Sequence, residues 1–162
     1  MAAPVAPVTG DYITKRVWDT EVYDRWDRLL DPWTPYTPTW GGTTTTPVLG
    51  NGSLVAAYKL ADPVSKTVHI RLRLVAGTTT SFGSGFWTFT LPDDAAPSVL
   101  QTIHGFVGKG DGSSRYPIAA QMHPTGGIER IAIDGTTGVT NTVPFAWATN
   151  DQLVLGGTYQ TS

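Results

Sequence analysis

Cysteine is absent from this 162-residue chain, and charged side chains make up only 15% of it. Without thiols there is neither a disulfide framework nor a thiolate metal site, so an oxidising compartment is neither required nor excluded. A formal net charge of −2 leaves no basic footprint of the kind that nucleic acid or an anionic membrane calls for, and neither is expected as a partner. The opening MAAPVAPVTG has no basic n-region and its apolar residues are interrupted by prolines, so it reads as neither a signal peptide nor a membrane span. The expectation is a protein made in a cytoplasm that reaches any outside location by another route.

Reaction signatures are missing too. No G-x-S-x-G elbow or H-E-x-x-H pair occurs, and the serines sit among glycines in loops. His69, His104 and His123 fall on three different predicted strands, none at a metal-ligand spacing. Each reads as a packed or interface side chain, although repetition around a three-fold axis would let one of them gather an ion. Asp93 and Asp94 are adjacent at a strand end and point apart, unlike the converging pair that acid–base chemistry needs. GKGDG, residues 108–112, lacks the terminal Lys-Ser/Thr of a phosphate loop and the acid ladder of a calcium loop, and predicts a flexible hairpin tip. No catalytic residue, metal or cofactor is expected, and the chain does not read as an enzyme. A self-similar period of a repeat array is absent as well.

What the chain has is 18 glycines and 12 prolines with abundant threonine, the composition of a turn-rich β protein. The length fits one domain with a terminal extension. Residues 10–40 are chemically distinct: they hold four of the six tryptophans and ten of the 24 charged residues. Residues 1–9 are Pro/Ala-rich and predict an extended arm. Residues 14–30 predict an α-helix, with Thr14 as N-cap and Val17, Trp18, Val22, Trp26, Leu29 and Leu30 at three- and four-residue steps. Glu21 with Arg25 and Asp24 with Arg28 support its exposed side. Such a rod is roughly 25 Å long and ends at Asp31-Pro32. An amphipathic helix ordinarily packs on its own domain. Here two tryptophans on a thin seam favour an anchor or oligomerisation device, giving a division into 1–31 and 32–162.

Residues 33–40, WTPYTPTW, cannot be helical and read as an extended strap over one edge of the core, whose aromatics also have the spacing of a sugar-stacking platform. Beyond Gly41 the pattern has period two. Residues 53–60 place Leu54, Ala56, Tyr58 and Leu60 on one face; residues 67–75 place Val68, Ile70, Leu72 and Leu74 inward and His69, Arg71 and Arg73 outward. Further strands are predicted at 83–92, 99–107, 115–123, 128–134, 143–148 and 152–159. About eight strands at turn spacing predict a mainly β fold, a single antiparallel β-sandwich of jelly-roll type. The stripe His69, Arg71, Arg73 is either a solvated face or a subunit contact, where arginine is enriched. Trp87, Tyr116 and Trp147, beside Gly/Ser/Thr loops, are the candidates for glycan stacking.

Four stretches, WTPYTPTW, PVLGNGSLVAAYKL, KTVHIRLRLVAGTTTSFGSGFWTFTLP and NTVPFAWATNDQLVLGGTYQ, resemble a β-sandwich module recurrent in structural proteins of tailed phages that infect actinobacteria: minor tail, tail-fibre, and head-fibre or decoration proteins. Thr14, Asp31, Pro32, Trp33, Tyr36, Pro38 and Trp40 match its N-terminal helix and strap. Gly50, Asn51, Gly52, Tyr58, Lys66, Val68, Gly77, Gly83, Gly85 and Pro92 match the module. The resemblance is one of pattern and turn glycines over nearly the whole chain. It implies a virion component, a homotrimer that contacts other capsid or tail proteins. A chain this short implies a small appendage on the virion surface, with host-glycan recognition as the alternative role.

Overall fold

The computed structural model describes residues 22, 23, 26, 27, 30–62, 66–92 and 94–161. Among the described residues nine strands follow in chain order: β1 (Thr34–Tyr36), β2 (Trp40–Gly42), β3 (Ser53–Asp62), β4 (Thr67–Val75), β5 (Trp87–Thr90), β6 (Gln101–Gly108), β7 (Arg115–His123), β8 (Gly127–Ala132) and β9 (Gln152–Gln160). All pair antiparallel in one sheet, in the order β1-β3-β4-β9-β6-β7-β8-β5-β2. The strap thus supplies both edges: β1 pairs with β3 and β2 pairs with β5. Only Thr37, Pro38 and Thr39 separate these two strands, a reach of about 14 Å between Tyr36 and Trp40 at full extension. The sheet must therefore curl until its edges nearly meet.

Strand β4 alternates as its sequence predicts, with Val68, Ile70, Leu72 and Leu74 buried and Arg71 and Arg73 exposed. The pattern of β3 is less regular. Leu54, Ala56 and Tyr58 face or pack against the core, but Leu60, expected inside, is exposed, and a register shift follows it between Leu60 and Asp62. Ala57, on the opposite side and paired with both Pro35 and Arg71, is buried.

Boundaries moved where turn chemistry overrode the apolar pattern. Strand β5 is shorter than residues 83–92 because Gly83 and Gly85 take φ of +58° and +82°, outside the extended range. At Gly83 a side chain would also strike the Thr45 carbonyl oxygen. Strand β8 ends before Asp134, whose carboxylate accepts from the backbone N–H groups of Thr136 and Thr137 and turns the chain. Residues 143–148 form no strand; Pro144 has no N–H for a ladder, and the stretch instead seats Trp147, whose indole donates to the Thr140 carbonyl at 2.9 Å. The nine strands are therefore seven of the predicted eight plus the two strap strands.

The core is the inside of the curl. Trp87 is its aromatic centre, with Trp40 edge-on at 4.8 Å and Trp147 at 4.5 Å. Phe82 and Phe89 flank this group, and aliphatic side chains of β4, β6, β7, β8 and β9 complete it. Two loops missed by strand periodicity fasten one end. Residues 43–48 and 81–86 exchange backbone hydrogen bonds, among them Thr43 N–H to Phe86 O and the reciprocal pair between Val48 and Ser81. Next to them the Asn51 amide bridges Thr78 and Thr79.

The anchor expectation falls largely outside the described residues: Val17, Trp18 and Leu29 lie outside them. Of the described members, Val22 is half-buried, and Trp26 and Leu30 are exposed.

Candidate functional site

Side chains directly opposite one another on paired antiparallel strands share a face, so the ladder registers map the outer surface of the sheet. Across β3, β4 and β9 run the rows Val55–Arg73–Val154 and Ala57–Arg71–Gly156. The register from β9 to β6 and β7 extends them to Phe106 and Pro117 and to His104 and Ala119. Arg71 thus stands between an alanine and a glycine, and its guanidinium lies over the Trp33 ring, 4.5 Å from the centroid. Arg73 bonds the Gln152 side-chain oxygen at 3.2 Å. Arg115 lies over the Phe106 ring at 4.8 Å. No Asp or Glu occupies these rows, and among the described residues neither Arg71 nor Arg73 has a carboxylate in ion-pair contact. Val55 is 65% exposed beside them.

The predicted stripe is thus brought together on one face, with His69 as its quieter end. His69 Nδ1 is 2.7 Å from the Thr158 hydroxyl. His104 belongs to the same face two strands away, whereas His123 lies at the β7 end, 4.0 Å from Glu129. Among the described residues no three His, Asp or Glu side chains gather as a metal site would require.

Two of the three glycan-stacking candidates, Trp87 and Trp147, require correction. Trp87 is 0% and Trp147 8% exposed; both are core rings and cannot present a face to a sugar. Trp87 is turned inward by the alternation of β5, and Trp147 packs against it at 4.5 Å. Tyr116 is 37% exposed and packs against the half-buried Phe145 at 6.1 Å, with no second exposed aromatic ring in contact among the described residues.

A groove does form elsewhere, along the strap. It has a volume of about 560 Å³ and lies between β1 and the turn after β5, lined by Thr34, Pro35, Tyr36, Tyr58, Pro92 and Asp94 among others. The Tyr36 and Tyr58 rings meet edge to face at 6.0 Å. Tyr58 donates its hydroxyl hydrogen to Asp94 at 3.1 Å. Burial raises the Tyr58 hydroxyl pKa above the ordinary tyrosine value, and the hydrogen bond to Asp94 and its negative charge add to the shift. Burial alone pushes Tyr36 well above that value, and its enclosed hydroxyl has no hydrogen-bond partner among the described residues. Nearby Tyr159 is raised chiefly by burial as well; its hydroxyl donates to the Ala95 carbonyl at 2.7 Å.

One buried carboxylate escaped the reading of the sequence. Asp151 accepts from Lys109 Nζ at 3.0 Å, Gly110 N–H at 2.9 Å and Ala148 N–H at 2.7 Å. Lys109 also donates to the Ala146 carbonyl at 2.6 Å and lies over the Phe145 ring. The base of the GKGDG tip, expected to be flexible, is therefore pinned to the 148–151 turn. Every donor has a structural destination, so this is a clamp and not an open site.

Comparison with protein-family models, with curated proteins and with solved structures finds no match to this chain.

Proposed function

We propose that the chain is a phage virion structural protein, a small homotrimeric surface appendage of head-decoration, head-fibre or minor-tail type, anchored through its N-terminal segment and without enzymatic activity. In this reading the curled sheet corresponds to the jelly-roll-like sandwich of the resembling module, and the protein is made in the host cytoplasm and carried on the particle surface.

The observation that carries the self-association is the acid-free outer face built around Arg71 and Arg73. Exposed valine, aromatic rings and arginine, without Asp or Glu, make the composition of an interface core. The charge pattern also bears on symmetry. Two such faces meeting across a two-fold axis would set arginines against arginines, which disfavours an isologous dimer. A head-to-tail contact with a different, acid-bearing surface avoids this repulsion; where its rotation closes it forms a ring, of which a trimer is the smallest.

Light scattering on the purified full-length protein tests the reading. The expected mass is that of three 17.3 kDa chains, and a monomer at high concentration overturns it. Labelled antibody against the protein is expected to decorate intact particles, and bare particles would remove the virion assignment.

A further inference from the structure

The geometry points to a ligand site that does not depend on self-association: the groove between β1 and the turn after β5 binds a neutral carbohydrate. Its chemistry selects that class. Asp94 receives one hydrogen bond from Tyr58 among the described residues, leaving acceptor capacity on its carboxylate for ligand hydroxyls. Among the described residues no Lys, Arg or His lines the groove, so an anionic ligand would meet Asp94 there without a compensating cation from them. Pro35, Pro92 and the tyrosine rings supply apolar surface for the C–H face of a pyranose. Thr34 adds a hydroxyl able to donate and accept. A volume of about 560 Å³ is within the range of small-molecule clefts and suits the end of an oligosaccharide. This is a different set of side chains from the expected Trp87, Tyr116 and Trp147.

The test is a titration of the full-length protein, followed by saturation-transfer NMR and by backbone shifts. The neutral probes are methyl glucopyranoside, methyl mannopyranoside, methyl galactopyranoside and the trisaccharides maltotriose and cellotriose; glucose 6-phosphate is the anionic comparison. At least one neutral probe is expected to bind saturably, with Kd of about a millimolar and shifts centred on residues 34–37 and 90–94. Asp94→Asn and Tyr58→Phe should each weaken binding about tenfold at an unchanged melting temperature. Should Asp94→Asn fail to fold, Tyr58→Phe and Thr34→Val carry the same expectation. Absence of saturable binding by every neutral probe overturns the proposal. So does unaltered affinity in the folded variants, or tighter binding of glucose 6-phosphate. None of these outcomes bears on the trimer, which is read from mass alone.

Discussion

Tyr36 and Trp40 are four positions apart in the chain and lie on opposite edges of one nine-stranded sheet, Tyr36 opposite Ala56 of β3 and Trp40 opposite Phe89 of β5. The strap is therefore the covalent link that brings the two edges together. Trp40 fixes its far end by burial against Trp87 and Phe89, and the step between strands is fastened by Thr39 N–H donating to the Thr90 hydroxyl and Thr90 N–H donating to the Thr39 carbonyl.

Trp40→Ala should accordingly cost about 3–5 kcal/mol, measured as a lowered denaturation midpoint. Trp18→Ala and Trp26→Ala are expected to leave that midpoint unchanged and to impair assembly, measured by mass in solution and incorporation into particles. The opposite result would reverse the division between anchor and β domain.

Asp151→Ala removes the acceptor of three hydrogen bonds and leaves the Lys109 ammonium without its counter-charge. Breaking such a pair costs about 3 kcal/mol or more. Amide exchange should rise selectively at Gly110 and Ala148, the two backbone donors. Protection unchanged at both would show that the clamp does not hold the loop.

Arg71→Glu combined with Arg73→Glu replaces two exposed cations on the outer face by anions. The expected product is a folded monomer of about the 17.3 kDa chain mass, since exposed substitutions change stability little. A variant that keeps the mass of the proposed trimer would exclude this face as the contact.

Tyr159 gives a dependence on alkaline pH. Its folded pKa lies above its unfolded value of about 10, so its contribution is fully present below pH 10 and is lost as pH rises toward the folded value. The wild-type midpoint should fall above about pH 10. Tyr159→Phe should begin about 1–2 kcal/mol less stable, because Ala95 O loses its donor, and should decline less steeply. Equal slopes would assign the alkaline loss to other groups, Tyr36 among them.

Asp134 gives the converse at acid pH. Hydrogen bonds from the Thr137 and Thr136 backbone, then from their hydroxyls, hold its carboxyl below the usual carboxylate range. The folded pKa is depressed, so the stabilisation is present above the unfolded value of about 4 and is lost as pH falls through the folded one. Asp134→Ala should therefore melt earlier than wild type at neutral pH. The difference should narrow in acid, and a constant difference would mean that the turn does not depend on the charge.

The sequence by itself determined the class of structure and much of its strand plan. Strand β7 coincides with residues 115–123, and β4 buries Val68, Ile70, Leu72 and Leu74 as its alternation requires. Period-two burial is a local property, and it also placed Arg71 and Arg73 together outside. Tertiary structure decided everything that depends on which strands meet. Trp87 follows the period-two burial of β5, whereas Trp147, outside any strand, is buried only by packing against Trp87 and Phe145. Asp151 meets Lys109 across 42 positions, and the Tyr58–Asp94 contact spans 36; neither separation carries a periodic signal. The strap is the clearest case. Its prolines and aromatics predict an extended cover for one edge, yet the curl of the sheet carries that edge round to the other, so the same eight residues join both.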